Sequence, residues 1–576
     1  MSVRIQRRAL PDNWRQLFPD LHPVLAQVYA SRRVTEAREL QHRLEYLPPP
    51  SAMKGMDAAL EVLVPAVEEG RRLLVVGDFD ADGATSSALA LRALRLMGAN
   101  DVHFLVPNRF EYGYGLTPEI VAVAADLAPD VIITVDNGIA SLEGVRAARQ
   151  RGMQVVVTDH HLPGETLPEA EAIVNPNQPG CRFPSKSLAG VGVIFYVMMA
   201  LRAALRDSGW FERRGLQCPN LAQLLDLVAL GTVADVVPLD HINRILVAQG
   251  LARMRQGQCC VGIQALLEAA GRSREHMVAA DLGFAVGPRL NAAGRLQDMS
   301  IGIRCLLSDD PQQARALAGQ LDSLNRERRS IEAEMRDQAL AHLESLQLEE
   351  EAALPAGLCL FHPDWHQGVI GILAARIKER FHRPVIAFAR ADDTYIKGSA
   401  RSVPGLHIRD ALDSVATRCP GLVHKFGGHA MAAGLTLKHQ DLEAFVCAFD
   451  AEVRRHLAEE DLHGWIWSDG ELSGAEINLD LAEALRQAGP WGQGFPEPVF
   501  EGRFGLLESR IVAERHLKLK LRADGAQMPI DAIAFNTVDD EWPAGVTAVE
   551  LAYRLDVDRY RDRRSLQLMV DHIRPL

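Results

Sequence analysis

The feature that most constrains the fold is a regular alternation of short apolar runs and helix-compatible segments in the first third of the chain. Four runs have the apolar, β-branched composition of strands, at 73–76, 102–106, 131–135 and 154–158. The segments between them suit helices, as in 84–97, which ends before Gly98. Strands that alternate with helices predict βαβ units and a parallel sheet. The predicted fold class is therefore α/β.

Acidic and imidazole side chains follow three of these strands. They are Asp78, Asp80, Asp82, Asp136, Asp159, His160 and His161. Because the carboxyl ends of parallel strands meet at one edge of the sheet, where α/β folds bind ligands, we expect these groups to lie together. For Asp136 alone, a helix N-cap is an equally good interpretation. Clustered carboxylates repel one another without cations, and oxygen and imidazole ligands together predict a site for Mn²⁺ or Mg²⁺.

A further acid, Asp235, lies inside an otherwise apolar run at 231–239. A buried aspartate is rare unless it is paired or binds a metal. Taken alone, Asp235 is better interpreted as a helix cap or as the acceptor of a turn hydrogen bond. Together with the acids after the strands, it becomes the expected last metal ligand.

Four segments, DFDADG (78–83), VDNG (135–138), TDHH (158–161) and GTVADVVPL (231–239), resemble in this order the signature motifs of the DHH phosphoesterase superfamily. The resemblance implies that His161 faces the scissile phosphate and that two divalent ions, Mn²⁺ or Mg²⁺, are bound. The implied ligands are Asp80, Asp82, Asp136, His160 and Asp235, with Asp78 and Asp159 in or close to the coordination shell. The assignment among Asp78, Asp80 and Asp82 stays open. The implied catalytic set is Asp80, Asp82, Asp136, His160 and His161.

Two further segments narrow the resemblance to the RecJ-type branch of this superfamily. GPRLNAAGR (287–295) is similar to a segment near the substrate in that branch, and GGHAMAAG (427–434) is similar to a motif of its second domain. The resemblance implies a hydrolase that digests single-stranded DNA from the 5′ end to 5′-mononucleotides, in DNA repair and recombination. Two alternatives stay open: a phosphodiesterase for short oligonucleotides or small nucleotides, and a non-catalytic DNA-binding scaffold.

Candidate contacts to the substrate come from side chains that can donate to phosphate oxygens. They are Arg109, His161, Arg289, Asn291, Arg295, Ser399, Arg401 and His429. Neighbouring glycines allow a backbone to approach a phosphate closely. Simpler interpretations are a surface turn at 108–115, a tight Gly-Gly loop at 427–428 and an exposed strand end at 398–402. The resemblance also implies a groove between the first two domains, closed at one end around the 5′ phosphate.

The pattern along the chain predicts five parts. They are an N-terminal helical cap (1–70), a parallel-sheet catalytic domain (71–308), a connector helix (309–352), a second α/β domain (353–460) and a C-terminal OB-like β-barrel (461–576). The connector has no glycine after Gly319 and no proline after Pro311, as expected of a long helix. Short alternating runs after Pro496 predict the barrel, a fold that often binds single-stranded nucleic acid.

Composition limits the remaining possibilities. The formal charge of −13 argues against a uniformly basic protein that coats nucleic acid, although a local basic channel stays compatible with it. The N-terminal residues contain no apolar signal segment, and the eight cysteines form no CxxC pair, so we expect a cytoplasmic protein without disulfides. We expect single-stranded DNA as partner, with a single-strand-binding protein and a helicase as further candidates, and a monomeric chain.

Overall fold

The structure is a computed structural model that describes most of the chain. It describes residues 3–108, 112, 115–350, 354–513, 515–526, 528–535, 537, 543, 545–559 and 564–576, without side chains for 345–350 and 459. The chain divides into two compact units. The first contains residues 8–325 and 469–576, and the second contains residues 3–7 and 326–468. No helix of the described chain combines the length and apolar character needed to cross a membrane.

The N-terminal segment is less helical than the sequence predicts. Its elements are β1 (Arg4–Arg7), α1 (Trp14–Leu17), α2 (Pro23–Ser31) and α3 (Met56–Glu68), with 3₁₀ turns at Ala37–Leu40, Leu44–Tyr46 and Pro50–Ala52. β1 belongs to the second unit, where it pairs in parallel with the strand Trp465–Ser468. α2 buries Val24 and Val28 in the core of the C-terminal barrel. α3 packs as expected of a cap, because Leu63 lies in the core of the parallel sheet region, and α2 adds Ala26 and Tyr29 to the same core.

A five-stranded parallel sheet organises the catalytic region. Its strands are β2 (Leu73–Gly77), β3 (Val102–Leu105), β4 (Val131–Val135), β5 (Gln154–Thr158) and β6 (Ala172–Val174), in the order β3-β2-β4-β5-β6. All neighbouring pairs are parallel. β2 and β4 are buried along their whole length, as expected of a sheet that is covered on both faces. The four predicted strands are confirmed, and only the short β6 was not predicted.

Helices cover this sheet and extend the catalytic region beyond it. They are α4 (Ala81–Leu96), α5 (Pro118–Ala125), α6 (Leu142–Gln150), α7 (Gly190–Asp207), α8 (Trp210–Arg214), α9 (Leu225–Ala234), α10 (His241–Arg255), α11 (Val261–Ala269), α12 (Ala279–Asp281), α13 (Gly287–Leu296) and α14 (Ser300–Leu307). A 3₁₀ turn at Leu221–Leu224 precedes α9, a second one lies at Arg274–His276, and a π-helical turn at Leu282–Val286 precedes α13. The predicted long helix follows as α15 (Pro311–Glu350).

The second unit contains a mixed sheet. Its strands are β7 (Leu358–Phe361), β8 (Val385–Arg390), β9 (Tyr395–Arg401), β10 (Lys425–Gly428) and β11 (Ala432–Lys438), in the order β10-β11-β9-β8-β7. The associated elements are α16 (Ile370–Phe381), α17 (Ile408–Arg418), α18 (Leu442–His456), 3₁₀ turns at His439–Asp441 and Glu459–Leu462, and β12 (Trp465–Ser468). Only β7 and β8 are parallel. The predicted α/β composition is confirmed, and the antiparallel half of the sheet is a new finding.

The C-terminal region is a closed five-stranded barrel preceded by a helix. Its elements are α19 (Leu479–Gln487), β13 (Phe500–Val512), β14 (His516–Arg522), β15 (Ile530–Ala534), β16 (Ala548–Asp558) and β17 (Ser565–Pro575). The strand order is β13-β14-β15-β17-β16. Leu517, Leu519 and Leu521 alternate into its core, which is the period of a half-buried strand. The predicted barrel is confirmed. β13 was not predicted, because charged residues and a register shift between Leu506 and Glu508 interrupt its alternation.

Candidate metal centre

The loop after β2 carries three acids whose orientations are fixed by backbone amides. Asp80 caps α4, since its Oδ1 accepts hydrogen bonds from the amides of Asp82 (2.9 Å) and Gly83 (3.0 Å). Asp82 is buried, and its two oxygens accept from the first amides of α7, at Gly190 (2.7 Å) and Val191 (3.0 Å). A helix N-terminus favours negative charge, so α7 supports this carboxylate directly.

Two glycines allow helices to reach these acids. A Cβ at Gly190 would lie 2.6 Å from Oδ1 of Asp136, and a Cβ at Gly231 would lie 2.8 Å from Oδ1 of Asp82. Any other residue would therefore displace α7 or α9 from the carboxylates. In the sequence, Gly231 stands out only as the first residue of the 231–239 motif, and Gly190 was not predicted to lie at the site. Their signal was weak, because a glycine in an apolar helix usually reflects packing alone.

Asp136 follows β4 in a strained backbone conformation. Its φ is +62°, in the left-handed region that non-glycine residues rarely occupy. The conformation turns the chain sharply at the strand end, and the Asp136 carboxylate is buried there. Strain of this kind is concentrated at functional sites. The competing interpretation of Asp136 as a plain N-cap does not fit, because α6 begins only at Leu142, after Ser141.

The two histidines after β5 have different surroundings. His160 Nε2 lies 3.1 Å from Asp136 Oδ1 and 3.5 Å from Asp235 Oδ2. His161 Nδ1 lies 2.8 Å from Asp159 Oδ1. Asp159 also accepts from the amides of His160 (2.7 Å), His161 (3.1 Å) and Ile139 (2.9 Å). Asp159 thus orients the loop and His161.

Asp235 completes the arrangement from the C-terminal end of α9. Its Oδ2 is buried and, among the residues that the structure describes, receives no hydrogen bond. A buried carboxylate oxygen in this situation is costly unless a cation is present. The next residue, Val236, has a φ of +62°, although β-branched residues disfavour this region strongly.

These side chains form three overlapping groups whose ligand atoms lie within 4.8 Å of one another. The groups are Asp136, His160 and His161; Asp82, His160 and Asp235; and Asp78, Asp80 and Asp136. Every predicted ligand except Asp159 is a member of at least one group. The sharing of Asp136 and His160 between groups suits closely spaced ions, and the oxygen and imidazole donors fit Mn²⁺ or Mg²⁺. Direct ligation stays a prediction for the members of these groups and for Asp159, whose oxygens accept hydrogen bonds from backbone amides.

The electrostatics of the metal-free site agree with this chemistry. Burial, together with the charge of Asp80, raises the pKa of Asp82 to about 7. Burial and the neighbouring acids also raise the pKa values of Asp136 and Asp235 well above their usual range. Burial alone would lower the pKa of His161, but the hydrogen bond to Asp159 and the surrounding carboxylates raise it to about 9. The site therefore holds excess negative charge that a divalent cation would neutralise.

The segment around α13 lies directly against the acid loop. Asn291 Oδ1 accepts a hydrogen bond from the amide of Ala81 (2.8 Å), and a Cβ at Gly294 would lie 1.8 Å from the carbonyl oxygen of Phe79. Arg289 pairs with Asp322 in α15 (2.8 Å) and donates to the carbonyl of Ala285. These contacts give Asn291 and Arg289 a positioning role. Substrate contacts by Asn291, Arg289 and Arg295 stay predictions.

Three further predicted phosphate contacts, Ser399, Arg401 and His429, lie in the second unit. The register of the sheet places Gly434 beside Ser399 and Ala432 beside Arg401, so the 427–434 segment, which forms the β10-β11 hairpin, adjoins the end of β9. His429 lies in the turn of this hairpin and is exposed. Arg401 Nη1 donates to Ser399 Oγ (3.1 Å) and to the carbonyl of Ala400 (2.8 Å). Arg109 lies outside the described residues.

Comparison with known proteins agrees with this organisation. Residues 72–232 match the DHH family, N-terminal domain; residues 354–455 match the DHHA1 domain; and residues 468–572 match the RecJ OB domain. The chain is 57% identical to the single-stranded-DNA-specific exonuclease RecJ of Dickeya dadantii over 577 residues, which cover 100% of both chains. It is 54% identical to that of Escherichia coli over 576 residues, again covering 100% of both.

Solved structures extend the comparison to the metal. The crystal structure of RecJ in complex with Mn²⁺ from Thermus thermophilus superposes with a TM-score of 0.81 at 32% identity, covering 100% of this chain and 80% of that one. The Mg²⁺ complex from the same organism gives a TM-score of 0.76 at 30% identity, covering 100% and 79%. The chain therefore belongs to the RecJ family of single-stranded-DNA-specific exonucleases, metal-dependent hydrolases of the DHH superfamily.

Proposed function

We propose that the chain digests single-stranded DNA from the 5′ end and releases 5′-mononucleotides with the help of two divalent ions. The observation that carries this proposal is the overlap of the three ligand groups, which share Asp136 and His160. Asp136 and His160, which two groups share, would hold the ions together with Asp78, Asp80, Asp82 and Asp235. Ions bound in this way activate a water molecule and neutralise charge on a phosphoryl group.

Asp82 and His161 have different proposed roles at the metal centre. Asp82, held by the N-terminus of α7, fixes the acid loop and completes the shell on the side of Asp235. His161 is oriented through Nδ1 by Asp159, and its imidazole would donate a hydrogen bond to a phosphoryl oxygen. The hydrogen bond to Asp159 favours the protonated imidazole and raises its pKa in the metal-free site, so His161 would stabilise the charge that develops in the transition state.

The proposed 5′ polarity depends on an anion site in the second unit. Burial lowers the pKa of the Arg401 guanidinium, and no described carboxylate pairs with it. A Cβ at Gly371 would lie 2.9 Å from Arg401 Nη2 and 3.0 Å from Ser399 Oγ, so the glycine keeps space beside both groups. A terminal phosphate there would supply the missing negative charge. Arg109, Arg289, Asn291, Arg295 and His429 are further candidate contacts.

The proposal also covers the cellular location, the oligomeric state, the partners and the domain limits of the chain. The chain acts as a cytoplasmic monomer in DNA repair and recombination, with a single-strand-binding protein and a helicase as partners. Its domain limits are 1–70, 71–308, 309–352, 353–460 and 461–576. Lys518 and Lys520 point outward from β14 of the barrel, where they could contact the phosphates of a single strand.

The test is release of label from single-stranded DNA that carries it at the 5′ or the 3′ end, with Mn²⁺. We expect immediate release of the 5′ label as mononucleotide and late release of the 3′ label. Duplex DNA and RNA of the same sequence test the substrate class. Immediate release of the 3′ label, or of short oligonucleotides, would contradict the proposed polarity or product.

Matched variants assign the activity to the site. Asp80→Ala and His160→Ala should abolish release, because each removes a ligand of the shared groups. Asp126→Ala and His103→Ala are the controls, since both residues are exposed and lie outside the groups. Mn²⁺ titration calorimetry on the same variants separates loss of metal from loss of turnover. Retained release in Asp80→Ala or His160→Ala would contradict the assignment.

A further inference from the structure

A cavity lies in the catalytic region at the far ends of two helices that reach the metal centre. α4 begins beside Asp80 and rises about 15 Å from Asp82 to Arg92. α9 runs in the opposite sense, with Asp226 in its first turn and Asp235 at its C-terminal end. The cavity encloses about 680 Å³ and is lined by residues of both helices and of the segment before α15. It is therefore separate from the carboxylate cluster.

Three guanidinium groups, those of Arg92, Arg95 and Arg253, line this cavity, which we call the arginine pocket. Arg92 donates through Nε to the carbonyl of Leu306 (3.0 Å) and through Nη2 to Asp309 (3.0 Å). Arg253 donates only through Nη1, to Gln249 of its own helix. In the described hydrogen bonds, Nη1 of Arg92 and both Nε and Nη2 of Arg253 thus remain available to a ligand.

The acids that line the arginine pocket offset this positive charge only weakly. Asp226 is buried, and its oxygens accept from the amides of Leu227 (2.8 Å) and Cys260 (2.7 Å). Its pKa is raised by burial, which reduces its tendency to ionise. The side chain of Asp309 is 83% exposed, so water screens its charge. The arginines therefore dominate the field inside the cavity.

The two cysteines in the wall of the arginine pocket do not suggest a thiolate site. Burial raises the pKa of Cys259 to about 11 and raises that of Cys260 well above its usual range. Both thiols are therefore neutral at physiological pH and poor ligands for a soft metal. The cysteines therefore add no negative charge to the cavity, and the arginines favour an anionic ligand.

We propose that the arginine pocket binds a phosphorylated small molecule of nucleotide size. Guanidinium groups are the preferred partners of phosphate, and Arg92 and Arg253 can supply several donors. The volume is larger than inorganic phosphate needs and lies within the usual range for small-molecule sites. Asn220, Gln223 and Gln258 add amide donors and acceptors that suit a base or a sugar. A bound phosphate would compete with Asp309 for Arg92.

The test is calorimetric titration of the full chain with dAMP in the presence of a chelator, so that metal and turnover play no part. We expect saturable binding of dAMP that is at least tenfold tighter than binding of inorganic phosphate or deoxyadenosine. Arg253→Gln should weaken dAMP binding about tenfold or more, because it removes charge-assisted hydrogen bonds. This variant should fold, since Arg253 bonds only within α10.

Two measurements locate the binding. Arg146→Gln removes an exposed charge on α6, outside the arginine pocket, and should leave the affinity for dAMP unchanged. Amide hydrogen exchange, followed by peptide mass spectrometry, should slow in the peptide that contains Cys259 when dAMP is bound, while the peptide that contains Cys447 of the second unit should exchange as before. Binding that survives Arg253→Gln without protection of Cys259 would overturn the proposal. So would equal affinity for inorganic phosphate and dAMP.

Discussion

The two α/β sheets of the chain both place charged groups beside a strand end, but the charges have opposite sign. In the catalytic region, β2, β4 and β5 deliver carboxylates to one edge, and α7 supports Asp82 with its N-terminal amides. In the second unit, β9 ends at the guanidinium of Arg401, beside Ser399. A buried charge without a protein partner is costly. Each sheet therefore favours a ligand of opposite charge: cations at the first sheet and, as proposed, an anion at the second.

Both sites use the same device to keep room for that ligand. Gly190 and Gly231 let helices approach the carboxylates, and Gly371 keeps space beside Arg401 and Ser399. A side chain at any of these positions would meet a charged or hydroxyl group at 3.0 Å or less. The two sites therefore differ in the charge of their side chains, while both use glycines to leave space beside those side chains.

The largest expected effect comes from the carboxylate that two ligand groups share. Asp136→Asn should lower the exonuclease rate by about a thousandfold or more, since it removes a carboxylate that two of the ligand groups share. The metal-free variant should nevertheless be at least as stable as the parent at pH 8, because a buried like charge disappears. Single-turnover kinetics and thermal unfolding measure the two quantities.

Asp126→Asn, at an exposed position, is the matched control and should change neither quantity. If Asp136→Asn kept activity within tenfold of the parent, the carboxylate edge would not be the cation site. If it unfolded the metal-free protein, the excess negative charge inferred for this edge would be wrong.

The anion site should show the next largest effect. Arg401→Gln should raise the KM for DNA with a 5′ phosphate by roughly ten- to a hundredfold, the effect of a lost charge-assisted hydrogen bond. DNA with a 5′ hydroxyl should be affected much less. Arg390→Gln, an exposed arginine at the end of β8, is the control. Equal losses on both substrates would leave Arg401 with a structural role only.

The sequence predicted the acids far better than their surroundings. The strands β2, β4 and β5 and the acids that follow them were predictable, because period, composition and position after a strand are local properties. The hydrogen bonds from Gly190 and Val191 to Asp82 were not, since they join positions distant in sequence. The same holds for the Arg289–Asp322 ion pair, which gives Arg289 a contact within the chain that its sequence surroundings do not indicate, while its phosphate contact stays a prediction.

The second sheet was harder to predict for a related reason. The runs at 358–362, 384–389 and 395–401 indicate β7, β8 and β9, but no strands were predicted at the glycine-rich segment 427–434, where β10 and β11 meet. The pairing of Gly434 with Ser399 depends on antiparallel register across β9 and β11. β1 is the extreme case, because it pairs with a strand near residue 465 and carries no apolar pattern of its own. Register and long-range pairing are properties of the folded chain, and a single sequence does not display them.

Metal binding at the first sheet should depend on pH. The pKa of Asp82 is raised to about 7, above the roughly 3.9 of an unfolded aspartate. Its contribution to the stability of the metal-free chain is therefore fully present below about pH 3.9 and is lost as pH rises through about 7. Mg²⁺ replaces the proton, so it should raise the melting temperature more at pH 8 than at pH 5.5, by at least about 1 kcal/mol in stability.

Thermal unfolding with Mg²⁺ or with a chelator, at both pH values, measures this difference. Asp136→Asn is the reference, since it should respond little to Mg²⁺ at either pH. If Mg²⁺ stabilised the parent chain more at pH 5.5 than at pH 8, the raised pKa assigned to Asp82 would be wrong.

The smallest expected effect comes from Ser399→Ala, which tests whether the hydrogen bond between Ser399 and Arg401 orients the guanidinium. Ser399 Oγ accepts from Arg401 Nη1, so Ser399→Ala should free the guanidinium to move and remove one donor to a phosphate. We expect a two- to fivefold rise in KM for 5′-phosphorylated DNA, about 0.5–1 kcal/mol, with kcat unchanged. In the Arg401→Gln background the same substitution should cost less, because the pair acts together. Additive effects in this double-mutant cycle would mean that Ser399 contacts the substrate independently, and the second sheet would then offer two separate donors where the first offers one shared cluster.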